Sequence, residues 1–415
     1  MKTRFIDPFT PDLPVDDPAK FAGRNTAIES VVDSLYQLVN GNPKHVIITG
    51  DRGIGKSSVL LQAKSFTQGN FELLEILKID PGVKSYSFIT AWHDCAPDQT
   101  PTTLASGILE QLQSEAVSFI KGFKIELNLA GFIKIAEKDT SQATLVEIVT
   151  LFCEELKKFS KKASEANKDG IVLFFDELDS VKQNSGVATF FKLSSEKLAR
   201  DGVKNVAFFA AGITGAVQAL EKEHGSIYRT LADIPLARLA VEEVAQILKT
   251  GFEKVGCKYD EVVIKEIHAL CAGYPEPVHL LGSQILKSDK DDYLTIDDFK
   301  LAEKDVVETI RKNKLGSMLK AAGAGKYQAI MRAMASHSGS DVPLAYIAEQ
   351  TGYEQSSLSS NIGTLVKRGI ITLVTRGHYT FTDPLLKVYI TRFGVIEPNI
   401  GDAEDEEDED AQKVV

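Results

Sequence analysis

The sequence predicts an α/β fold: a parallel five-stranded sheet, a helical region after it, and a small domain of three helices and a β-hairpin. Three observations carry that expectation. A glycine-rich loop sits between an apolar strand and a helix, a second apolar strand ends in two carboxylates, and the hydrophobic period changes to a helical one after Val241.

The first twenty residues are rich in Pro and Asp and lack periodicity, so they read as an extended lead-in. A helix follows from Thr26 to about Val39, with Ile28, Val31, Val32, Leu35 and Leu38 on one face. His45-Val46-Ile47-Ile48-Thr49 is a buried strand, and Ser58 to Lys64 is the helix that it feeds. Between them, Gly50-Asp51-Arg52-Gly53-Ile54-Gly55-Lys56-Ser57 fits GxxxxGK[ST], and this strand–loop–helix context makes it a phosphate-binding loop. Its glycines let backbone amides converge on anionic oxygens at the positive end of the helix. Lys56 would reach the β and γ phosphates, the Ser57 hydroxyl would ligate Mg²⁺, and Ser58 completes the binding stretch.

Tyr86 to Trp92 is the second strand, with His93 and Asp94 at its end, and Thr103 to Leu112 is the next helix. Residues 123–135 break the alternation and suggest a hairpin insertion turning at Ala130-Gly131. After a helix from Gln142 to Lys158, Ile171-Val172-Leu173-Phe174-Phe175 ends in Asp176 and Glu177, as a buried parallel strand does when its end opens onto a site. Asp176 fits the magnesium-side carboxylate and Glu177 the base that polarises an attacking water. A helix from Val187 to Ala199 and a strand from Val206 to Ala210 complete the core. No NKxD pattern follows the acidic strand, so adenine is preferred to guanine and ATP is the expected nucleotide.

Helical spacing then runs through Val241–Val255, Asp260–Cys271, Pro277–Leu286 and Ile296–Lys312. Tyr327 to Phe393 has helices at Gln328–Ala335, Pro343–Thr351 and Gln355–Arg368, then a hairpin from Thr372 to Thr382 turning at Arg376-Gly377. That plan is a winged helix-turn-helix. The expected domains are therefore 1–20, a core at 21–236, a lid at 237–312, the winged domain at 313–395 and a tail at 396–415.

Composition places the chain among globular proteins of two to three domains, with 43% apolar and 25% charged residues. No apolar run has membrane-span length and no secretory signal opens the chain, so a cytoplasmic location without a membrane partner is expected. Four scattered cysteines lack CxxC pairing, which argues against a disulfide framework. The net charge of -11 conceals two regions of opposite sign. The tail gathers eight acids between Asp402 and Asp410, whereas eleven Lys or Arg face four acids between Arg311 and Arg392. In the third winged helix, Leu358, Ile362 and Leu365 face inward. Ser356, Ser360, Asn361 and Lys367 face outward, and with Arg368 and Arg376 they suit a nucleic-acid surface.

These residues resemble the AAA+ ATPases related to archaeal and eukaryotic origin-recognition initiators, and the neighbouring STAND signalling NTPases. Phe21-Ala22-Gly23-Arg24 is similar to the box that packs by the adenine, which implies nucleotide contact for Phe21 and Arg24. Gly50 to Ser57 resembles Walker A, and Phe175-Asp176-Glu177-Leu178-Asp179 resembles the initiators' Walker B. Ala211-Gly212-Ile213-Thr214 is similar to the sensor 1 strand end, where the usual asparagine is missing and Thr214 is the polar candidate. Ser226-Ile227-Tyr228-Arg229 stands where these families carry an arginine finger, which implies that Arg229 completes a neighbour's site in an ATP-dependent homo-oligomer. A surface ion pair is the other reading of Arg229. Gly273-Tyr274-Pro275 resembles the STAND G-x-P motif, implying nucleotide contact for Pro275. The initiators' sensor 2 arginine is absent, and Glu276, Pro277 and His279 occupy that stretch, with His279 the candidate to approach the phosphates from the lid.

The resemblance implies a magnesium-dependent ATPase, and the departures from the family pattern favour slow turnover and a switch. Three outputs stay open at this point: DNA binding through the winged domain, protein binding in a STAND-like signalling or defence ATPase, and target selection for a mobile element.

Overall fold

The computed structural model describes residues 6–119, 131–132, 142–182, 184–213, 216–310, 316–339 and 341–394. They divide into two units, one formed by Ile6–Val255 with Gly273–His279 and the other by Gly256–Ala272 with the described residues from Leu280 onward. The division at 255/256 falls inside the segment 237–312 expected as a lid.

In the first unit, β1 (His45–Thr49), β2 (Phe88–Asp94), β3 (Gly170–Asp176), β4 (Val206–Gly212) and β5 (Leu231–Pro235) form one parallel sheet in the order β2-β3-β4-β1-β5. Every residue of β3 and β4 is buried, which is why their sequences are continuous apolar runs and not alternating ones. The edge strand β5 alternates in burial and carries Asp233 and Pro235, so no apolar run delimits it in the sequence. The helices of this unit are α1 (Asn25–Val39), α2 (Lys56–Thr67), α3 (Glu72–Leu77), α4 (Pro101–Phe119), α5 (Gln142–Glu165), α6 (Val187–Arg200), α7 (Ala216–Glu223) and α8 (Val241–Lys254), of which α1, α2, α4 and α5 pack on the sheet. Aromatic side chains fill the layer between α5, α6 and the sheet, with Phe175 edge-on to Phe191 at 4.9 Å and Phe152 against Phe190 at 4.9 Å.

One expectation needs correction here. The lead-in is not simply extended: Pro18–Lys20 is a 3-10 turn and the Phe9 and Val15 side chains are buried. The hairpin expected at 123–135 lies outside the described residues except for Gly131 and Phe132, which are helical. The acidic tail also lies outside them. Among the described residues no helix is long and apolar enough to cross a membrane.

The second unit contains a short parallel pair, β6 (Lys258–Tyr259) and β7 (Tyr293–Leu294), that helical periodicity does not disclose. With it come α9 (Glu261–Cys271), the larger part of α10 (Pro275–Ser288), and α11 (Ile296–Ile310). Then follow α12 (Gly316–Ala322), α13 (Lys326–Ser336), β8 (Val342–Pro343), α14 (Leu344–Thr351), α15 (Gln355–Lys367), β9 (Ile371–Thr375), β10 (His378–Phe381) and α16 (Pro384–Phe393). β8, β10 and β9 pair antiparallel in that order, and the three helices before the hairpin make this a winged helix-turn-helix. Leu358, Ile362 and Leu365 sit one and two turns apart on α15 and are buried with Ile330, Met334 and Phe381. Burial of that stripe, worth roughly 1.5–3 kcal/mol per large side chain, fixes which face of α15 meets solvent.

Candidate nucleotide site

β1 and β3 both end at the same edge of the sheet, so parallel pairing through β4 brings the phosphate loop and the acidic pair to one end. Gly53 (φ 75°) and Gly55 (φ 96°) hold left-handed conformations that let the loop turn into α2, for which Gly55 is the N-cap. Lys56 Nζ donates to Gly50 O at 2.9 Å and to Asp51 O at 3.1 Å, so the ammonium is folded into the loop. Burial lowers its pKa, while Asp179, Asp176 and Asp51 act in the opposite direction.

Asp176 accepts hydrogen bonds from the Ser57 hydroxyl and, at 2.8 Å, from the Glu177 backbone N–H. Burial nevertheless raises the Asp176 pKa, and the carboxylate of Asp94, in register with it on β2, adds to the rise. A hydroxyl and a buried carboxylate that already meet, with the carboxylate in need of positive charge, fit a hard divalent cation. Ser57 and Asp176 are the residues that would hold Mg²⁺. Glu177 is exposed and has φ 53°, a left-handed conformation costing on the order of 1 kcal/mol, which turns the chain at the sheet end. Asp179 then accepts from Ile213 N–H at 2.9 Å, tying the acidic turn to the exit of β4.

A second layer closes over the loop. The Arg24 guanidinium donates to Ile54 O at 2.8 Å and to Ala237 O, so it clamps the loop to the segment after β5. Glu243 joins Arg24 N–H at 3.2 Å to Ala240 N–H at 2.7 Å, and it fills the space that a side chain at Gly23 would need. Phe21 is buried beside this clamp. Tyr274 donates its hydroxyl to Asp51 Oδ2 at 2.7 Å, with the Arg238 guanidinium 4.9 Å from its ring centroid. Ser58 accepts from Val15 N–H at 2.9 Å and Gln62 donates to Asp16 O at 2.9 Å, so the N-terminal segment is strapped to α2.

His279 is placed differently from the expectation. Its ring meets Phe9 edge-on at 5.9 Å and its Nδ1 accepts from Thr10 N–H at 3.4 Å, an anchoring of the N-terminal segment and not a contact with the phosphate loop. Burial lowers its pKa to about 4. Arg229 lies just before β5, at the end of the sheet opposite the loop, since Leu231 pairs with His45 and Pro235 with Thr49. Five residues of strand, roughly 3.3 Å each, separate it from the loop of its own chain. Arg229 is exposed and donates to the Tyr228 hydroxyl at 2.9 Å. Thr214 lies outside the described residues.

Among the described residues no cluster of His, Cys, Asp and Glu could hold a metal ion by itself, and all four cysteines are buried thiols. The thiols of Cys95 and Cys153 are pushed up to about 12 by burial, which leaves them inert. Sequence reasoning missed Asp179, Arg238 and Tyr274 as parts of the site. Asp179 was visible in the acidic motif and Tyr274 in the Gly273-Tyr274-Pro275 motif, but the bond from Tyr274 to Asp51 spans 223 positions and the Arg238 contact with the Tyr274 ring leaves no local signal.

On the winged domain, Lys367 and Arg376 are exposed and Asn361 is half-buried. Ser356 and Ser360 are also exposed, on the outward side of α15. Arg368 is more committed than expected: it donates to Ala321 O at 2.8 Å and stacks over Tyr327, so it braces the domain. The edge strand β9 also exposes Leu373 and Val374, both close to half.

Residues 20–200 match the family model described as AAA ATPase domain, and residues 320–390 match a domain of unknown function, DUF8462. Among solved structures, the Walker-type ATPase PABY2304 of Pyrococcus abyssi aligns with TM-score 0.60 and 17% identity over 92% of this chain and 99% of that one. The Aeropyrum pernix ORC2 protein, solved as ADPNP–ADP complexes, aligns with TM-score 0.50 and 13% identity over 88% and 92%. The Aeropyrum pernix ORC1 protein in complex with DNA aligns at TM-score 0.44 and 15% identity over 92% and 95%. No curated protein matches the chain in sequence. The phosphate loop, the acidic strand end beside it and the match over residues 20–200 identify an AAA ATPase domain in this chain, whose fold resembles that of the Pyrococcus Walker-type ATPase and the Aeropyrum ORC2 protein.

Proposed function

We propose that the chain is a magnesium-dependent ATPase that works as a slow switch, with the winged domain as its DNA-binding output. The observation that carries the ATPase reading is the meeting of Lys56, Ser57, Asp176 and Glu177 at one end of the sheet. In this reading the loop amides and Lys56 bind the phosphates, while Ser57 and Asp176 hold Mg²⁺, which supplies charge neutralisation at the phosphoryl oxygens. Glu177 orients and deprotonates the attacking water. Arg229, beyond the reach of its own loop, serves the loop of a neighbouring copy, so hydrolysis depends on assembly. Slow turnover follows from the lid, where Glu276 stands in the stretch that carries an arginine in the initiators.

The DNA reading rests on the local positive balance between Arg311 and Arg392 and on the exposed Ser356, Ser360 and Lys367 of α15, with the half-buried Asn361 beside them. A second reading, a STAND-like switch whose winged domain binds protein, draws on the exposed Leu373 and Val374 of the edge strand. Fluorescent duplex binding with ATP, ADP or no nucleotide, at two salt concentrations, separates them. Nucleotide-dependent, salt-sensitive binding supports the first; its absence favours the second. Steady-state ATP turnover at the rate of a processive translocase would overturn the switch, and normal nucleotide binding by Lys56→Ala would overturn the site itself.

A further inference from the structure

Three consecutive residues, Tyr274, Pro275 and Glu276, each meet a different residue of the phosphate loop. Tyr274 donates to the Asp51 carboxylate at 2.7 Å. Pro275 Cγ lies 3.8 Å from the point where a Cβ on Gly55 would stand, and Glu276 Oε2 lies 2.5 Å from the corresponding point on Gly53. Gly53 and Gly55 thus lack side chains where the lid presses closest. The Tyr274 phenol is kept protonated by burial and by its bond to Asp51, which preserves it as the donor that holds this arrangement.

The consequence is electrostatic. A phosphate loop gathers anions through converging backbone amides and a lysine, yet Glu276 brings a fixed carboxylate against it. The repulsion between that carboxylate and a bound nucleotide scales with the nucleotide's charge. A triphosphate carries about one more negative charge than a diphosphate, so it is penalised more. We propose that Glu276 is a specificity-determining residue that sets the preference of this site toward ADP over ATP. The inference rests on the nucleotide-binding reading above and adds the residue that decides which nucleotide the resting protein keeps.

The test is a pair of dissociation constants, for ADP and for ATPγS with Mg²⁺, measured by calorimetry on the full chain and on Glu276→Gln and Glu276→Asp. One unit charge in a partly screened site is worth roughly tenfold in affinity. Glu276→Gln should therefore lower the ratio Kd(ATPγS)/Kd(ADP) by about tenfold, and rising salt should narrow the gap between wild type and variant. Glu276→Asp keeps the charge and should keep the wild-type ratio to within about twofold. An unchanged ratio in the glutamine variant overturns the proposal, as does an aspartate variant that shifts the ratio as far as glutamine does, because shape would then be the cause. Loss of both affinities together identifies damage to the loop and also overturns it. A wild-type chain that binds neither nucleotide removes the parent reading along with this one, a result distinct from an unchanged ratio.

Discussion

The phosphate-loop end of the sheet and the outer face of α15 both display polar side chains, but they satisfy them in opposite ways. Around the loop, hydrogen bonds join distant parts of the chain: Ser57 to Asp176, Asp51 to Tyr274, Asp179 to Ile213, Arg24 to Ala237. On α15 the hydroxyls bond to their own helix, Ser357 to Glu354 O at 2.9 Å, Ser359 to Gln355 O at 3.0 Å and Thr364 to Ser360 O at 3.0 Å. Long-range bonds fix the relative positions of reacting groups, which chemistry requires. Local back-bonds leave a surface that many partners could meet. One region therefore holds its polar groups in fixed relative positions, and the other presents an exposed face.

The contrast can be broken most sharply at Arg229. If it completes a neighbour's site, Arg229→Ala should cut turnover by roughly a thousandfold or more and abolish the dependence of specific activity on protein concentration, with nucleotide affinity retained. Equal activity in the two proteins would return Arg229 to the surface. Next, Glu177→Gln should lower kcat by roughly a hundred- to ten-thousandfold in a single-turnover assay while ATP remains bound.

The third effect is on stability. The His279 pKa is lowered by burial and by Lys20, from 6.5 in the unfolded chain to about 4, so the folded form needs the neutral ring. Its contribution is fully present above pH 6.5 and is lost as pH falls through 6.5 toward 4, on the order of 3 kcal/mol in all. His279→Phe should remove that part of the difference between denaturation curves taken at pH 7 and at pH 4.5. A further effect is expected at Asp176, where burial and the neighbouring Asp94 disfavour the charged carboxylate: Asp176→Asn should raise the melting temperature of the nucleotide-free, metal-free protein at pH 7 while weakening Mg²⁺-dependent binding. The smallest effect belongs to α15. Lys367→Ala should reduce the slope of log affinity against log salt for duplex DNA by about one, without changing sequence preference.

Legibility in the sequence follows the same division. The loop and the acidic strand were readable because each is contiguous and because a parallel strand buried on both faces must be an unbroken apolar run. β5 was not delimited, since an edge strand with burial alternating around Asp233 has no such run. The Tyr274–Asp51 bond and the strap from Val15 to Ser58 join residues 223 and 43 positions apart, and no periodicity encodes either. His279 was read as a lid residue facing phosphate because spacing gives a residue's helix but not what approaches it; Phe9, from the far end of the chain, fills that side. The three helices and hairpin of the winged domain were readable from the stripe Leu358, Ile362 and Leu365, whereas the bracing role of Arg368 was not, because its acceptor lies 47 positions upstream.

One consequence follows from where β5 begins and ends. The phosphate loop lies at one end of the β1–β5 pair and Arg229 at the other, so a copy offers its acceptor and its donor on opposite sides. Two copies facing each other about a two-fold axis cannot exchange both. An assembly made through these groups must run head to tail, either closing as a ring or growing as a filament with one unserved loop at its end. The count of active sites would then fall one short of the count of subunits in every open array.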